Sequence, residues 1–125
     1  MTSLRVLSVG RNNLKKLEKL DENAGTLKEL WASYNQISSL DGLGQLGKLE
    51  TLYLSNNNIT RWEELEKLAG CQELKDILLI GNPIYEDLTP EQARVKVLKH
   101  MKANQALVKI DNVLIKPRER EAALD

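Results

Sequence analysis

Few residues of the types that catalyse reactions or bind metals stand in a pattern typical of such chemistry. The single histidine, His100, lies in a basic stretch without visible ligand partners, whereas a metal site needs several ligands. The single cysteine, Cys71, has no paired base that would make it a nucleophile. The scattered glycines form no phosphate-binding loop. We therefore expect His100 on a helix surface, a structural or merely exposed thiol at Cys71, no enzyme activity, no metal and no cofactor.

The chemistry that the sequence does favour is protein binding, and it depends on a repeat. The pattern L-x-x-L-x-L-x-x-N-x-L occurs four times, with first positions stepping by 23, 22 and 25 residues, at Leu4, Leu27, Leu49 and Leu74. A fixed period near 22 residues indicates a solenoid, and the internal pattern is that of leucine-rich repeats. Each repeat alone cannot cover its leucines, so neighbouring repeats must stack. The sequence thus predicts an α/β fold with a curved parallel sheet and short helices or 3₁₀ turns on the convex side.

Alternation along each strand fixes which side chains enter the core. Successive strand residues point to opposite faces, so Leu52 and Leu54 point inward and Tyr53 outward. We expect at least four strands, centred near residues 6–8, 29–31, 51–53 and 76–78. The asparagine of each copy ends its strand and can hydrogen-bond backbone groups in the turn, which predicts a ladder of Asn12, Asn35, Asn57 and Asn82.

The return segments carry apolar residues at about every third position, which suits short 3₁₀ or α turns. Trp62 replaces a leucine in one of these columns, so we expect it to fill the core. The solvated side of the same helix should comprise Arg61, Glu63, Glu64, Glu66 and Lys67.

The outward strand positions are the candidate binding surface. Trp31, Tyr53 and Leu78 occupy the same place in successive repeats, and Ile80 lies two residues after Leu78. These side chains share the concave sheet face, about 4.8 Å apart from strand to strand, with Tyr34 beside them. Contiguous exposed apolar surface marks partner sites, and Trp and Tyr are enriched at interface hot spots. We expect a partner to bind here, although packing of the protein's own terminal segment on this face is the alternative.

Composition limits the number of domains, the classes of partner and the cellular compartment. The 125-residue chain fits a single domain over residues 1–125, and its 18 basic residues balance its 18 acidic residues. No global field therefore favours nucleic acid or an anionic membrane. No apolar run approaches the ~20 residues of a membrane span, and the N-terminus lacks a signal-peptide pattern. A single cysteine cannot form an internal disulfide, which favours a reducing, cytoplasmic compartment.

The pattern changes after the repeats, which run from about residue 4 to 85. Thr89 reads as a helix N-cap, with proline in the first turn and Gln92 completing a capping box. Four apolar residues then fall on one helical face, namely Ala93, Val97, Leu98 and Met101. A degenerate strand at 107–111 and a polar helix or frayed tail at 117–125 should follow. Residues 86–125 are thus predicted to form a helical C-terminal cap.

The first repeat begins at Leu4 with almost nothing before it. Solenoid ends need caps, because an uncapped end exposes a leucine layer and a strand edge. The sequence therefore predicts end-to-end self-association or fraying around Leu4, Val6 and Leu7. Whether the chain is a fragment, or another element covers that end, stays open.

Several segments closely resemble the axonemal outer-arm dynein light chain 1 family. They are LWASYNQI at residues 30–37, LYLSNN at 52–57 and LIGNPIY at 79–85. The resemblance covers essentially the whole chain, although the family has a further N-terminal helix and earlier repeats. It implies a non-enzymatic subunit of a ciliary dynein motor, which binds a heavy chain near its microtubule-binding stalk and regulates beating. Arg120 matches an arginine of the family's terminal helix, and Lys116 stands where the family has an acidic residue.

The resemblance therefore implies residence in the axoneme of a cilium or flagellum, with possible contact to microtubules through the complex. The partner-binding residues would be Trp31, Tyr53, Leu78, Ile80, Tyr34 and Arg120. The alternative is an adaptor of another complex built on the same repeat, of a phosphatase-regulating or spliceosomal type. The spliceosomal reading would favour a basic patch, which the neutral charge balance does not supply.

Overall fold

The computed structural model describes residues 5–15, 17 and 25–124. Its centre is a single six-stranded sheet in which strands neighbour one another in chain order. The four repeat strands are β1 (Val6–Ser8), β2 (Glu29–Trp31), β3 (Thr51–Tyr53) and β4 (Asp76–Leu78). All four pair in parallel, in the predicted register. Leu4, with which the first repeat begins, lies outside the described residues.

The core is a column of inward side chains stacked from repeat to repeat. Leu30, Leu52 and Ile77 are register partners on successive strands and have no exposed surface. Short 3₁₀ helices at Leu43–Gln45, Trp62–Leu68 and Pro83–Tyr85 supply the opposite wall. The leucine-rich repeat architecture predicted from the period is confirmed.

The asparagines form the predicted ladder. Asn57 Nδ2 donates to the carbonyls of Leu54 (3.0 Å) and Ala32 (3.1 Å), and its Oδ1 accepts from the Ile37 amide at 3.0 Å. Asn35 and Asn82 make the same kind of contacts and are likewise buried. Each amide therefore joins two neighbouring turns, which a leucine at the same position cannot do.

The C-terminal cap contains two helices and two short strands. Helix α1 (Pro90–His100) begins at Thr89, whose hydroxyl accepts from the Gln92 amide at 3.1 Å in a complete capping box. Its predicted apolar face is buried. Strand β5 (Lys109–Ile110) adds to β4 in parallel, and β6 (Val113–Leu114) turns back antiparallel to β5. Helix α2 (Pro117–Ala123) packs against α1.

One prediction about the surface of the 62–68 helix is wrong. Glu64 is buried, with 8% of its surface exposed, and its Oε1 accepts from the Leu40 backbone amide at 2.8 Å. The carboxylate satisfies a buried amide in the preceding repeat, which local charge alternation does not reveal. Lys67 Nζ lies 2.9 Å from the same oxygen and compensates its charge.

Trp62 and His100 also differ from expectation. Trp62 is only half-buried and lies at the core's edge, where its ring stacks with Tyr85 (6.0 Å) and His100 (5.7 Å). His100 is half-buried as well, with Nδ1 at 2.7 Å from Glu66 Oε2. These contacts join α1 to the 62–68 helix, so His100 serves packing between them.

Candidate protein-binding surface

The outward face of the sheet carries the residues predicted to bind a partner. Ser8, Trp31, Tyr53 and Leu78 are consecutive register partners across β1 to β4, so they form one row. Trp31 is 42% exposed, Ile80 is 56% exposed, and Tyr53 and Leu78 are half-buried. We call Trp31, Tyr53, Leu78 and Ile80 the apolar stripe. The stripe lies outside the leucine core, as the alternation of inward and outward side chains along each strand predicted.

The two aromatic rings of the stripe lie against each other. The ring centroids of Trp31 and Tyr53 are 6.1 Å apart, with 21° between the ring planes. A stacked pair on a sheet loses little conformational freedom when a partner covers it, because neighbouring side chains already restrict its rotamers.

Carboxylates flank the aromatic pair and hold its polar tips. Trp31 Nε1 donates to Glu29 Oε1 at 3.1 Å, and the Tyr53 hydroxyl donates to Asp76 Oδ2 at 3.4 Å. Partial burial, followed by the nearby Asp76 carboxylate, raises the pKa of Tyr53, so the phenol stays neutral at physiological pH. The stripe therefore presents ring faces, while its hydrogen-bonding groups are largely occupied within the sheet.

Tyr34 lies in the turn that follows β2. It is 48% exposed and adopts a left-handed backbone conformation with φ of 60°. The Arg11 guanidinium carbon lies 4.5 Å from the centre of its ring. Such cation–π contact steadies an exposed ring. Ser55 is buried, and its hydroxyl donates to Ser33 Oγ at 2.8 Å.

Arg120 is not brought together with the stripe. It lies on α2 in the cap, and its guanidinium donates to the Leu107 carbonyl. Its predicted role in partner binding stays a prediction, and its observed contact joins the terminal helix to the segment before β5.

Sequence reasoning missed a cavity of about 590 Å³ at the end of the stripe. It lies between the turn after β4, the start of α1 and the turn that leads into β6. Apolar groups form most of its wall, including Ile80, Pro83, Leu88, Ala93 and Val113. The one signal in the sequence was the Asp111-Asn112 dipeptide, which predicts a turn after a strand. It does not predict the cavity, because the elements that form the cavity wall depend on how the cap packs.

Tyr85 and Asp111, two polar residues of the cavity wall, bind one another. The Tyr85 hydroxyl donates to Asp111 Oδ2 at 2.6 Å, and Asp111 Oδ1 accepts from the Leu79 (2.7 Å) and Ile80 (3.0 Å) amides. Burial, and next the Asp111 charge, raise the pKa of Tyr85 far above its ordinary value.

Arg94 is the second polar centre of the cap. Its guanidinium donates to the carbonyls of Ile110 (2.6 Å), Val113 (3.1 Å) and Leu114 (3.0 Å) and forms an ion pair with Glu119 at 2.7 Å. The hydrogen bonds from Arg94 hold the pKa of the Glu119 carboxyl below its ordinary value. One buried cation thus ties α1, both cap strands and α2 together.

Groups that could hold a metal ion are not assembled in the described part of the chain. No group of three or more His, Cys, Asp or Glu residues there could hold a metal ion. Cys71 is fully buried and its thiol lies 3.1 Å from the Leu43 carbonyl. Burial raises the pKa of the Cys71 thiol to about 11, so this cysteine is structural and not an exposed thiol. Among the helices described, none has the length and apolarity to cross a membrane.

The stacked repeats and their parallel sheet define a leucine-rich repeat fold. The family model "Leucine Rich repeats (2 copies)" matches residues 26–67. A chain in the crystal structure of the Drosophila melanogaster SNF/U2A' complex shares the fold with a TM-score of 0.78 and 26% identity, covering 98% of this chain and 68% of that chain. The chain therefore has the leucine-rich repeat fold.

Within this class the chain is a relative of dynein axonemal light chain 1. It is 48% identical to that protein of Chlamydomonas reinhardtii over 98% of this chain and 63% of the relative. It is 39% identical to that of Danio rerio over 69% of this chain and 45% of the relative. The chain therefore spans less than two thirds of the length of these curated relatives. The resemblance to the axonemal light chain drawn from residues 30–37, 52–57 and 79–85 is confirmed.

Proposed function

We propose that this protein is a non-enzymatic, axonemal dynein-associated subunit that binds a dynein heavy chain through the apolar stripe and thereby helps to regulate ciliary or flagellar motility. The observation that carries the proposal is the stacked pair of exposed Trp31 and half-buried Tyr53 on the sheet face of a relative of axonemal dynein light chain 1. The leucine core uses none of this aromatic surface, so a partner can cover it without disturbing the fold.

The chemistry of the stripe favours a partner with an apolar surface of its own. Ring faces and aliphatic groups dominate the row, while the Trp31 and Tyr53 polar tips already have carboxylate acceptors. Binding would therefore remove apolar surface from water without leaving these hydrogen-bonding groups unpaired. Contact with microtubules would come through the motor.

The test is a Trp31→Ala, Tyr53→Ala double variant, measured for melting temperature and for binding to a dynein heavy-chain fragment that includes the stalk. Truncating a buried interface aromatic commonly costs about 2 kcal/mol or more, which is roughly thirtyfold in affinity. We expect this loss with nearly unchanged melting, because both rings lie outside the core. Leu114→Ala is the matched control, since Leu114 is an exposed apolar residue of the cap that lies off the stripe. Unchanged binding by the double variant would rule out this face.

The alternative is an adaptor of another complex, and the fold similarity to a chain of the SNF/U2A' complex gives it a specific basis. A pull-down from ciliated cells separates the two. Enrichment of dynein heavy chain supports the proposal, whereas enrichment of spliceosomal or phosphatase subunits without dynein contradicts it.

A further inference from the structure

We propose that the cavity beside Ile80 receives one bulky apolar side chain from the same partner that covers the apolar stripe. The inference rests on the proposed function and assigns a second anchor point to that interface. It depends on three properties of the cavity, which are its position, its chemistry and its rim.

The position makes the cavity continuous with the stripe. Ile80 belongs to both, because it is the last residue of the stripe and lines the cavity wall. Asp111 follows Ile110, the register partner of Ile77, so it occupies the next place in the row formed by Trp31, Tyr53 and Leu78. At about 4.8 Å per strand, the cavity lies roughly 15 Å from Trp31 along this row. A partner long enough to cover the stripe therefore reaches the cavity.

The chemistry selects an apolar occupant. The Asp111 carboxylate already accepts from two backbone amides and the Tyr85 hydroxyl. Arg94 donates to three carbonyls and to Glu119. Glu86, a further charged residue of the lining, is exposed to solvent. A polar group placed between Ile80, Leu88 and Val113 would lose hydration, whereas an aliphatic or aromatic group would gain burial against these side chains. A volume of about 590 Å³ lies within the range typical of ligand pockets and admits any such side chain.

Two neighbouring residues of β6 at the cavity rim allow a variant and its matched control to be compared. Val113 and Leu114 form the two-residue strand β6 and are 51% and 64% exposed. Val113 lines the cavity and Leu114 does not. Both positions accept a charge without burying it in the core, so Val113→Glu and Leu114→Glu should melt close to the unsubstituted protein.

The experiment measures binding of both variants, and of Trp31→Ala, to the heavy-chain stalk fragment by titration calorimetry, with melting curves for each. We expect Val113→Glu to weaken binding roughly tenfold or more, because a carboxylate at the rim opposes burial of an apolar anchor. Leu114→Glu should stay within about threefold, as for rim positions in general.

Each outcome separates the inference from the proposed function. If Trp31→Ala loses affinity and Val113→Glu does not, the stripe binds and the cavity is not an anchor point. Equal losses with Val113→Glu and Leu114→Glu would indicate a general effect of added negative charge and would overturn the inference. If Trp31→Ala has no effect, the proposed function itself fails. A second variant, Val113→Ala, keeps the cavity uncharged and should retain affinity within about threefold.

Discussion

At the residue scale, the asparagines show how one side-chain type can be required by backbone chemistry alone. Asn57 satisfies two carbonyls and one amide that are otherwise buried between repeats. Replacing it with leucine keeps its size roughly constant but leaves these groups unpaired. We expect Asn57→Leu to lower the free energy of unfolding by about 1–3 kcal/mol. Chemical denaturation measures this, and a curve superimposable on that of the unsubstituted protein would contradict the ladder.

Cys71 should make stability depend on alkaline pH. Its thiol pKa is raised from 9.0 to about 11 in the folded state. The folded state favours the neutral thiol. The stability that the neutral thiol contributes is therefore complete below pH 9 and is lost as the pH rises towards 11. We expect the unfolding midpoint to fall across that window, and to fall less for Cys71→Ala.

The same burial predicts slow chemistry at this thiol. Iodoacetamide at pH 8 should modify Cys71 far more slowly in the folded protein than in urea, since both access and thiolate fraction are reduced. Equal rates in the two states would show that the thiol is accessible.

At the element scale, the cap depends on a single buried cation. Arg94 links α1 to β5, β6 and α2 through hydrogen bonds that no other described residue supplies. Arg94→Met would remove the donor to three carbonyls and the cation paired with Glu119, whose Oε1 would keep the Lys116 amide. We expect a loss of roughly 3 kcal/mol at pH 7, since removing one partner of a buried pair leaves the other uncompensated. Arg118→Met on the exposed side of α2 is the control and should unfold like the unsubstituted protein.

Acid should reduce the difference in unfolding free energy between the unsubstituted protein and Arg94→Met. The Glu119 pKa is lowered in the folded state, so its contribution is present above its ordinary pKa of 4.5 and declines as the pH falls below that value. Urea denaturation of both proteins at pH 7 and pH 3.5 measures the change. An Arg94→Met penalty that is the same at both pH values would contradict the proposed pairing with Glu119.

At the scale of the whole molecule, β1 is an edge strand of the described sheet. Among the described strands it pairs only with β2, and Val6 on it is 44% exposed. Unpaired strand edges template association with a second chain. We therefore retain the prediction of self-association or fraying at this edge. Sedimentation velocity should show a concentration-dependent dimer that Val6→Lys weakens. A strict monomer at high concentration, with protected β1 amides in hydrogen exchange, would contradict it.

The sequence by itself determined the repeat architecture and the face that the stripe occupies. A period near 22 residues sets the strand spacing, and alternation within each strand places Leu52 inside and Tyr53 outside. Both are local rules of backbone geometry, so they can be read without tertiary contacts. The capping box at Thr89 was predictable for the same reason, because its two partners are three residues apart.

Only the tertiary structure decided the contacts between residues distant in sequence. Glu64 is buried because a Leu40 amide 24 residues earlier needs an acceptor. His100 meets Glu66 across 34 residues, and Arg94 meets the β6 carbonyls across about 20. Charge alternation along a helix gives no sign of such partners, since they come from other elements. The cavity beside Ile80 likewise exists only because the cap packs on the last repeat, and no local sequence pattern specifies how those two surfaces meet.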